Sequence, residues 1–166
     1  MRSRPENWLY PTERGLYCEP GQFHIDPHLT VDRAVITHGH GDHARSGHGS
    51  VLATAETVEI MKVRYGADCA QSFATANGGQ MINGVSVRLV LAGHILGSAQ
   101  IVLDWQGTRV VVSGDYKRKA DPTCAARKAP HNESVAIIVQ LDVVERGPHR
   151  RCAKRVYKDC GLVAGV

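Results

Sequence analysis

The sequence predicts a layered α/β domain, and three observations support this fold class. A β-branched apolar run at residues 31–37 precedes a stretch with helical spacing at residues 55–65, in the order strand, loop, helix. Two later apolar runs, at residues 85–91 and 100–112, have the composition of strands. A polar loop follows each strand, and loops at strand ends carry function in layered α/β folds.

The helix is predicted over residues 55–65, with Thr54 as its N-cap and Gly66 closing its last turn. Residues 85–91 are predicted to form one strand because Val and Leu dominate them. Residues 100–103 and 109–112 are predicted to form a hairpin that turns near Gln106 and Gly107.

The segment between the first strand and the helix, Thr-His-Gly-His-Gly-Asp-His at residues 37–43, predicts a metal site. In an extended segment His38 and His40 point the same way and can reach one cation. Asp42 and His43 lie further on and suit a second cation. Two divalent ions roughly 3.5 to 4 Å apart can clamp the attacking and leaving oxygens of a hydrolytic displacement.

Two glycines of this segment, Gly39 and Gly41, are expected to relieve the steric limits on a backbone that bends around a cation. The alternative is a histidine-rich surface loop without function. The density of imidazole and carboxylate groups favours the metal site.

Two later strand ends supply one candidate ligand each. His94 follows the strand at residues 85–91, and Asp115 follows the second strand of the hairpin. Taken alone, His94 is more typical of a buried, hydrogen-bonded histidine, and Asp115 of a helix cap or turn. Their order behind the histidine segment favours a ligand role for both.

In this order the motifs resemble the successive metal-binding motifs of the metallo-β-lactamase fold superfamily of hydrolases. The neighbouring strings at residues 15–18, 23–27, 31–38, 92–100 and 113–118 are similar to those of its nucleases, and most of all to the bacterial DNA-ligase-associated exonucleases. The resemblance covers roughly residues 1–124. It implies an αββα sandwich, of which this chain has the N-terminal half followed by a divergent tail.

The resemblance also implies the roles of the site residues. His38, His40 and His94 would hold one zinc, Asp42 and His43 would help to hold a second, and Asp115 would bridge the two. The nucleophile would be a water between the metals, and Asp42 could also position it, so that Asp42 and Asp115 are the catalytic candidates.

Asp26 resembles the acidic residue that supports the first metal loop in this family, where a carboxylate can orient a ligand histidine. The alternative is a turn carboxylate before Pro27, and the sequence does not separate the two.

Residues 1–124 are expected to form the metallo-β-lactamase-like domain and residues 125–166 a divergent basic tail. Family members continue into a second half that completes the second zinc site, and no motif of that half is recognisable here. A frameshifted or damaged gene end is therefore one expected origin of the tail.

Residues 127–166 hold eight basic and four acidic side chains, whereas the rest of the chain is neutral. The tail is expected to be a solvated or poorly ordered extension, with nucleic-acid binding as the alternative. Residues 134–144 are apolar enough for a strand.

Composition sets further bounds. A length of 166 residues with 43% hydrophobic content supports one domain with a core, and an incomplete sandwich with an open sheet edge would favour self-association. The five cysteines include no Cys-x-x-Cys pair, so a zinc ribbon is not expected. The N-terminus lacks a signal-peptide core, and no apolar stretch approaches the roughly 20 residues of a membrane span. A cytoplasmic protein with reduced thiols is expected.

Three functions follow from the residues and the resemblance. The first is a metal-dependent DNA exonuclease that acts in repair beside a DNA ligase. The second is a truncated relative that binds zinc through His38, His40 and His94 but does not hydrolyse. The third is small-molecule hydrolysis, since the same metal core serves other substrates in this superfamily and a fold does not fix a function.

Overall fold

A computed structural model of the chain describes residues 3–75 and 79–115, together with the backbone of two strands at residues 137–141 and 154–156. These parts form a mixed α/β arrangement of two six-stranded sheets, one α-helix and a short 3-10 helix at Pro5–Asn7.

The first sheet contains six strands that are neighbours in chain order. The first three pair antiparallel, and the third to sixth pair parallel. The strands are β1 (Leu9–Thr12), β2 (Gly15–Cys18), β3 (Phe23–Ile25), β4 (Arg33–Val35), β5 (His48–Ala53) and β6 (Ala70–Thr75).

The second sheet has the order β12-β11-β10-β9-β8-β7. All its neighbours pair antiparallel except β10 and β11, which are parallel. The strands are β7 (Gly79–Ile82), β8 (Val85–Leu91), β9 (Ala99–Trp105), β10 (Thr108–Val112), β11 (Ile137–Leu141) and β12 (Lys154–Val156).

The two sheets pack face to face through one apolar core. Leu16, Ile25 and Val35 from the first sheet contact the same buried cluster as Ile101 and Val110 from the second. Full burial of side chains of this size stabilises the fold by about 1.5–3 kcal/mol each. The interface between the sheets is therefore the main stabilising feature of the described chain.

The two tryptophans of the chain lie in this interface. Trp8 is 2% exposed, and its ring centroid lies 5.5 Å from that of Trp105 with a tilt of 59°. Tilted aromatic pairs at this separation are favourable beyond their buried area. The pair joins the segment before β1 to the end of β9.

Helix α1 (Ala55–Tyr65) covers the other face of the first sheet. Val58 and Met61 pack with Ala34 and Val51 of the sheet in a second buried cluster. Thr54 caps the helix by accepting a hydrogen bond from Thr57 N at 3.3 Å. The described layers are thus helix, sheet, sheet.

The structure confirms several sequence-based elements. The helix has the predicted bounds with Thr54 and Gly66 as caps, β8 covers residues 85–91, and β9 and β10 form the predicted hairpin. Gln106 (φ 45°) and Gly107 (φ 74°) make its turn, and both angles are positive, as in a type I′ turn. The strand predicted within residues 31–37 is β4.

The predicted division at residue 124 lies in a part of the chain outside the described residues, so this division stays a prediction. Two backbone segments of the predicted tail are described, and both belong to the second sheet. β11 falls within the strand predicted at residues 134–144, and β12 was not predicted. Within residues 3–75 and 79–115, no helix is long and apolar enough to cross a membrane.

Candidate metal centre

Four strand ends bring the candidate side chains to one place. Asp26 follows β3, the histidine segment follows β4, His94 follows β8 and Asp115 follows β10. The two sheets meet here directly, because Ala99 N donates a hydrogen bond to Thr37 O at 2.8 Å. The loops that carry the ligands are therefore anchored to both sheets.

Four of the predicted ligands form a compact group, which we call the first ligand group: His38, His40, His94 and Asp115. One donor atom from each lies within 4.8 Å of all the others. His40 Nδ1 lies 3.0 Å from His38 Nε2 and 3.3 Å from His94 Nε2. The Asp115 Oδ2 atom lies 3.4 Å from His94 Nε2. Three imidazole nitrogens and one carboxylate oxygen thus converge on one point.

Asp42, His43 and Asp115 form a looser second ligand group. His43 Nε2 lies 3.9 Å from Asp42 Oδ2 and 4.0 Å from Asp115 Oδ1. Asp115 directs its other oxygen, Oδ2, to the first ligand group, where it lies 3.8 Å from His38 Nε2. The Asp115 carboxylate therefore stands between the two groups, while the Asp42 side chain is 62% exposed and faces solvent.

The Asp26 carboxylate lies behind both groups and fixes the tautomers of two histidines. It accepts hydrogen bonds from His43 Nδ1 at 2.8 Å, from Thr37 N at 2.8 Å and from Thr37 Oγ1 at 2.6 Å. Because the Thr37 hydroxyl donates to Asp26, Thr37 Oγ1 accepts from His38 Nδ1 at 3.0 Å. In this arrangement the neutral forms of His38 and His43 keep the lone pair of Nε2 for the centre.

Burial and charge shift the ionisation of the site. Burial, together with the neighbouring His43, lowers the pKa of His38 to about 3. Burial alone would lower the pKa of His43, but its hydrogen bond to Asp26 and the charges of Asp26, Asp115 and Asp42 raise it overall. Burial raises the pKa of Asp115, against the effect of His43. His38 is thus neutral at neutral pH, the form that ligates a metal.

The backbone of the histidine segment differs from the predicted one. The chain turns after His40, because His43 N and Ala44 N both donate to His40 O, at 3.1 and 2.8 Å. This turn places His43 beside Asp26 instead of further along an extended segment.

Neither Gly39 nor Gly41 has a positive φ, so their φ angles do not require glycine, and the predicted relief of steric limits stays a prediction. A Cβ on Gly39 would lie 2.7 Å from Ile60 Cγ2 of helix α1, which is too close for any side chain. Gly39 is required by the close approach of the helix. A Cβ on Gly41 would meet its nearest atoms only at 3.8 Å, so packing does not demand glycine there.

The other two ligand loops are held by local contacts. Ser98 Oγ accepts hydrogen bonds from His94 N at 2.9 Å and from Ile95 N at 3.2 Å. Gly114 has φ 53°, and a Cβ there would lie 2.9 Å from Thr37 Cβ. Both loops therefore have little freedom to move the ligands that they carry.

The structure brings together every site residue that the sequence predicted, including Asp26. Their chemical roles remain predictions. Thr37 was not predicted to have a role, although a hydroxyl residue directly before the first ligand histidine was a possible signal. Ser98 was also missed, and its hydroxyl is identified only by the fold of the loop.

The first ligand group fits a divalent cation. Imidazole nitrogen with carboxylate oxygen is a donor set that suits zinc and related metals. The backing of His38 by Thr37 and Asp26 is the hydrogen bonding that metal-ligating histidines require on their other ring nitrogen. The described residues thus contain a His/Asp cluster that could hold a metal ion.

Comparison with known proteins gives weak but consistent similarity. The chain is 28% identical over 130 residues to a probable DNA ligase of Opitutus terrae. It is 25% identical over 183 aligned positions to cleavage and polyadenylation specificity factor subunit 3-I of Arabidopsis thaliana, and 26% identical over 170 to endoribonuclease YSH1 of Kluyveromyces lactis. These alignments include 77%, 91% and 80% of this chain. No family model matches the chain.

The chain spans only 13%, 26% and 22% of the lengths of these three relatives. A crystal structure of a protein of unknown function from Enterococcus faecalis V583 superposes on 51% of this chain, which corresponds to 25% of the length of that protein. The TM-score is 0.41 and the sequence identity is 15%. The sequence similarities, together with the ordered motifs around His38, His94 and Asp115, show that the chain is similar to nucleases of the metallo-β-lactamase type.

Proposed function

We propose that this chain is a metal-dependent nuclease that hydrolyses phosphodiester bonds. The observation that carries the proposal is the position of Asp115, whose two carboxylate oxygens face two different ligand groups. An arrangement of this kind suits a pair of cations bridged by one carboxylate, and metal pairs are typical of phosphodiester hydrolysis.

In this proposal His38, His40 and His94 would hold one zinc ion, Asp42 and His43 would help to hold a second, and Asp115 would be a ligand shared by the two. Bound zinc would supply charge neutralisation for the phosphate and a water of lowered pKa. The protein's own contribution is to fix the imidazoles. Asp26 does this directly for His43 and through Thr37 for His38.

Asp42 and Asp115 are the proposed catalytic carboxylates. The Asp42 side chain is exposed, so it can accept the proton of an attacking water at the surface of the centre. The Asp115 side chain is 15% exposed, and its position between the groups suits the orientation of that water. The bond broken would be a phosphorus–oxygen bond of the nucleic-acid backbone.

DNA is the proposed substrate, with removal of nucleotides from DNA ends during ligation and repair as the activity. The support is the relative described as a probable DNA ligase. A DNA ligase is accordingly a proposed partner. Because this chain matches a small part of that protein, the test must be made on the chain itself.

RNA is the second candidate substrate. Two matches favour it, because endoribonuclease YSH1 of Kluyveromyces lactis and of Saccharomyces cerevisiae both resemble the chain, the latter with 34% identity over 59 residues. The first ligand group consists of candidate metal ligands, and metal ligands do not distinguish DNA from RNA.

The described layers also support the proposed αββα sandwich. Helix α1 lies on the outer face of the first sheet, and the two sheets share one core. Three of the four layers of such a sandwich are therefore represented in residues 3–75 and 79–115. The proposed boundary of this domain is residue 124.

The test measures metal content and cleavage on the same preparation. The chain is washed with chelator, reloaded with zinc and assayed on end-labelled DNA and RNA of one sequence. Cleavage with two zinc ions per chain is expected, and loss of cleavage in His40→Ala. His28→Ala is the matched control because His28 is an exposed histidine outside both ligand groups.

Cleavage that persists in His40→Ala would contradict the proposal. Zinc binding without cleavage of either polymer would instead indicate the zinc-binding relative that does not hydrolyse. Cleavage of RNA alone would replace DNA as the substrate.

A further inference from the structure

Helix α1 contacts two of the loops that carry the predicted ligands, one near each of its ends. Near its N-terminus, Gly97 O accepts hydrogen bonds from Thr54 Oγ1 at 2.6 Å and Thr57 Oγ1 at 3.1 Å. Gly97 lies three residues after His94, and Ser98 binds the His94 backbone. The start of the helix therefore fixes the loop of His94.

The packing at Gly97 leaves no room for a side chain. Its φ is 75°, and a Cβ there would lie 2.7 Å from Glu56 Cβ. Thr57 itself is fully buried. Because the loop is hydrogen-bonded through its carbonyl and packed closely against the helix, its position depends on that of the helix.

Near its C-terminus the helix contacts the histidine segment. Arg64 Nη1 donates a hydrogen bond to Gly39 O. Gly39 lies between His38 and His40, and Ile60 packs where its Cβ would be. Helix α1 thus makes one charged hydrogen bond and one apolar contact with Gly39, the residue between the ligand candidates His38 and His40.

The three contact residues of the helix share one side. Thr57, Ile60 and Arg64 are spaced i, i+3 and i+7, which places them along one face of an α-helix. Seven residues correspond to about 10.5 Å along the axis. Helix α1 is therefore a spacer of fixed length between the loop of His94 and the loop of His38 and His40.

We propose that Thr57 and Arg64 are positioning residues of the metal centre, which act through Gly97 and Gly39 to hold His94 at a fixed distance from His38 and His40. The proposal rests on the proposed metal centre. Neither side chain belongs to a ligand group. Thr57 binds Gly97 O, three residues after His94, and Arg64 binds Gly39 O, between His38 and His40. Metal affinity then depends on the helix as well as on the ligands, as it does for other hydrogen-bonding partners behind metal ligands.

The test removes the hydrogen-bonding group of each positioning residue and compares each variant with a matched control. Thr57→Val removes the buried hydroxyl, and Thr108→Val is its control because the Thr108 hydroxyl also donates to a backbone carbonyl, Ser3 O at 2.7 Å, in the second sheet. Arg64→Met removes the guanidinium, and Lys62→Met is its control because Lys62 pairs with Glu59 on the same helix.

Two readouts separate positioning from a general loss of structure. Zinc affinity is measured by competition with a chromophoric chelator, and the visible absorption of the cobalt-loaded protein reports the ligand geometry. We expect Thr57→Val and Arg64→Met each to weaken zinc binding by roughly 10-fold and to change the cobalt spectrum. We expect Thr57→Ser, which keeps the hydroxyl, to retain the parental affinity.

The thermal midpoint of the metal-free protein is recorded for every variant. If Thr57 and Arg64 position the ligands, zinc affinity falls in Thr57→Val and Arg64→Met. It does not fall in the control variants that have the same thermal midpoint. Parental affinity and cobalt spectrum in both variants would overturn the proposal, and so would equal losses in the controls. A parent chain that binds zinc but cleaves no nucleic acid would overturn the nuclease function alone, since the affinity comparison needs no substrate.

Discussion

Asp26 Oδ2 accepts a hydrogen bond from His43 Nδ1 at 2.8 Å, and this contact joins a buried carboxylate after β3 to a ligand candidate after β4. The same carboxylate accepts the Thr37 hydroxyl proton. One acidic side chain thus sets the orientation of two imidazoles, and its loss should affect both ligand groups.

Asp26→Ala is therefore expected to weaken zinc binding by roughly 10- to 100-fold, because it frees the His43 ring and removes the acceptor of Thr37. Isothermal titration of the metal-free protein with zinc measures this. Asp32→Ala is the control, since Asp32 is an exposed aspartate directly before β4. Equal affinities in the two variants would show that Asp26 is only a turn residue.

Thr37→Val is expected to change the tautomer of His38. The hydroxyl that accepts from His38 Nδ1 is lost, and the Asp26 carboxylate loses one donor, so that the free energy of unfolding should fall by about 1–3 kcal/mol. Nitrogen-15 NMR of the imidazoles distinguishes the tautomers. An unchanged pattern of His38 nitrogen shifts would contradict the assigned hydrogen-bond direction.

The metal-free protein should lose stability on acidification through His38. Its pKa in the fold is lowered to about 3, against an unfolded value near 6.5, so the unfolded chain binds the extra proton between these pH values. The contribution is complete above pH 6.5 and is lost as the pH falls towards 3. Urea unfolding at a series of pH values measures the slope of the free energy of unfolding against pH. In His38→Gln this slope should be smaller between pH 3 and 6.5 by up to about 1.4 kcal/mol per pH unit.

His43 acts in a different window. Its pKa is raised by Asp26, so its contribution is complete below the unfolded value and is lost as the pH rises through the folded one. The slope of the unfolding free energy below pH 6.5 should therefore change less in His43→Gln than in His38→Gln, and only because His43 no longer helps to lower the pKa of His38. A change there as large as that of His38→Gln would contradict the assignment.

Gly114→Ala is expected to destabilise the protein more than Gly84→Ala. Both glycines have positive φ, 53° and 84°, so both substitutions carry a backbone cost of about 1 kcal/mol. Only at Gly114 would the new Cβ meet another residue, Thr37 Cβ at 2.9 Å, whereas nothing lies within 4 Å at Gly84. The difference between the two variants in the free energy of unfolding therefore measures the cost of the contact between residue 114 and Thr37. Equal losses of stability in the two variants would contradict this close contact.

Local pattern predicted the elements that depend on local chemistry. The helix at Ala55–Tyr65 had its capping residues in sequence, and the β9–β10 hairpin had a turn of two residues that tolerate positive φ. β1, β2, β3, β5, β6 and β7 were not predicted. β3 has only three residues, and β6 is mostly exposed, so neither has a clear apolar period.

The candidate site was predicted more completely than the fold because its ligand residues recur in a fixed order along the chain. The missing parts are those that long-range packing determines. Gly39 is set by Ile60, and Gly97 by Glu56, and neither partner is marked by its position in sequence. The hydrogen bond from Arg64 to Gly39 spans 25 residues and follows only from the docking of the helix.

The pairing of Trp8 with Trp105 has a practical consequence for spectroscopy. These are the two tryptophans of the chain; Trp8 lies in the core between the sheets, and the partly buried Trp105 packs against that core. Intrinsic fluorescence, with any exciton signal in circular dichroism, therefore reports the closeness of the sheets, while cobalt absorption reports the ligands. Measured on one sample, the two signals show whether a variant has separated the sheets or has changed only the geometry of the histidine ligands.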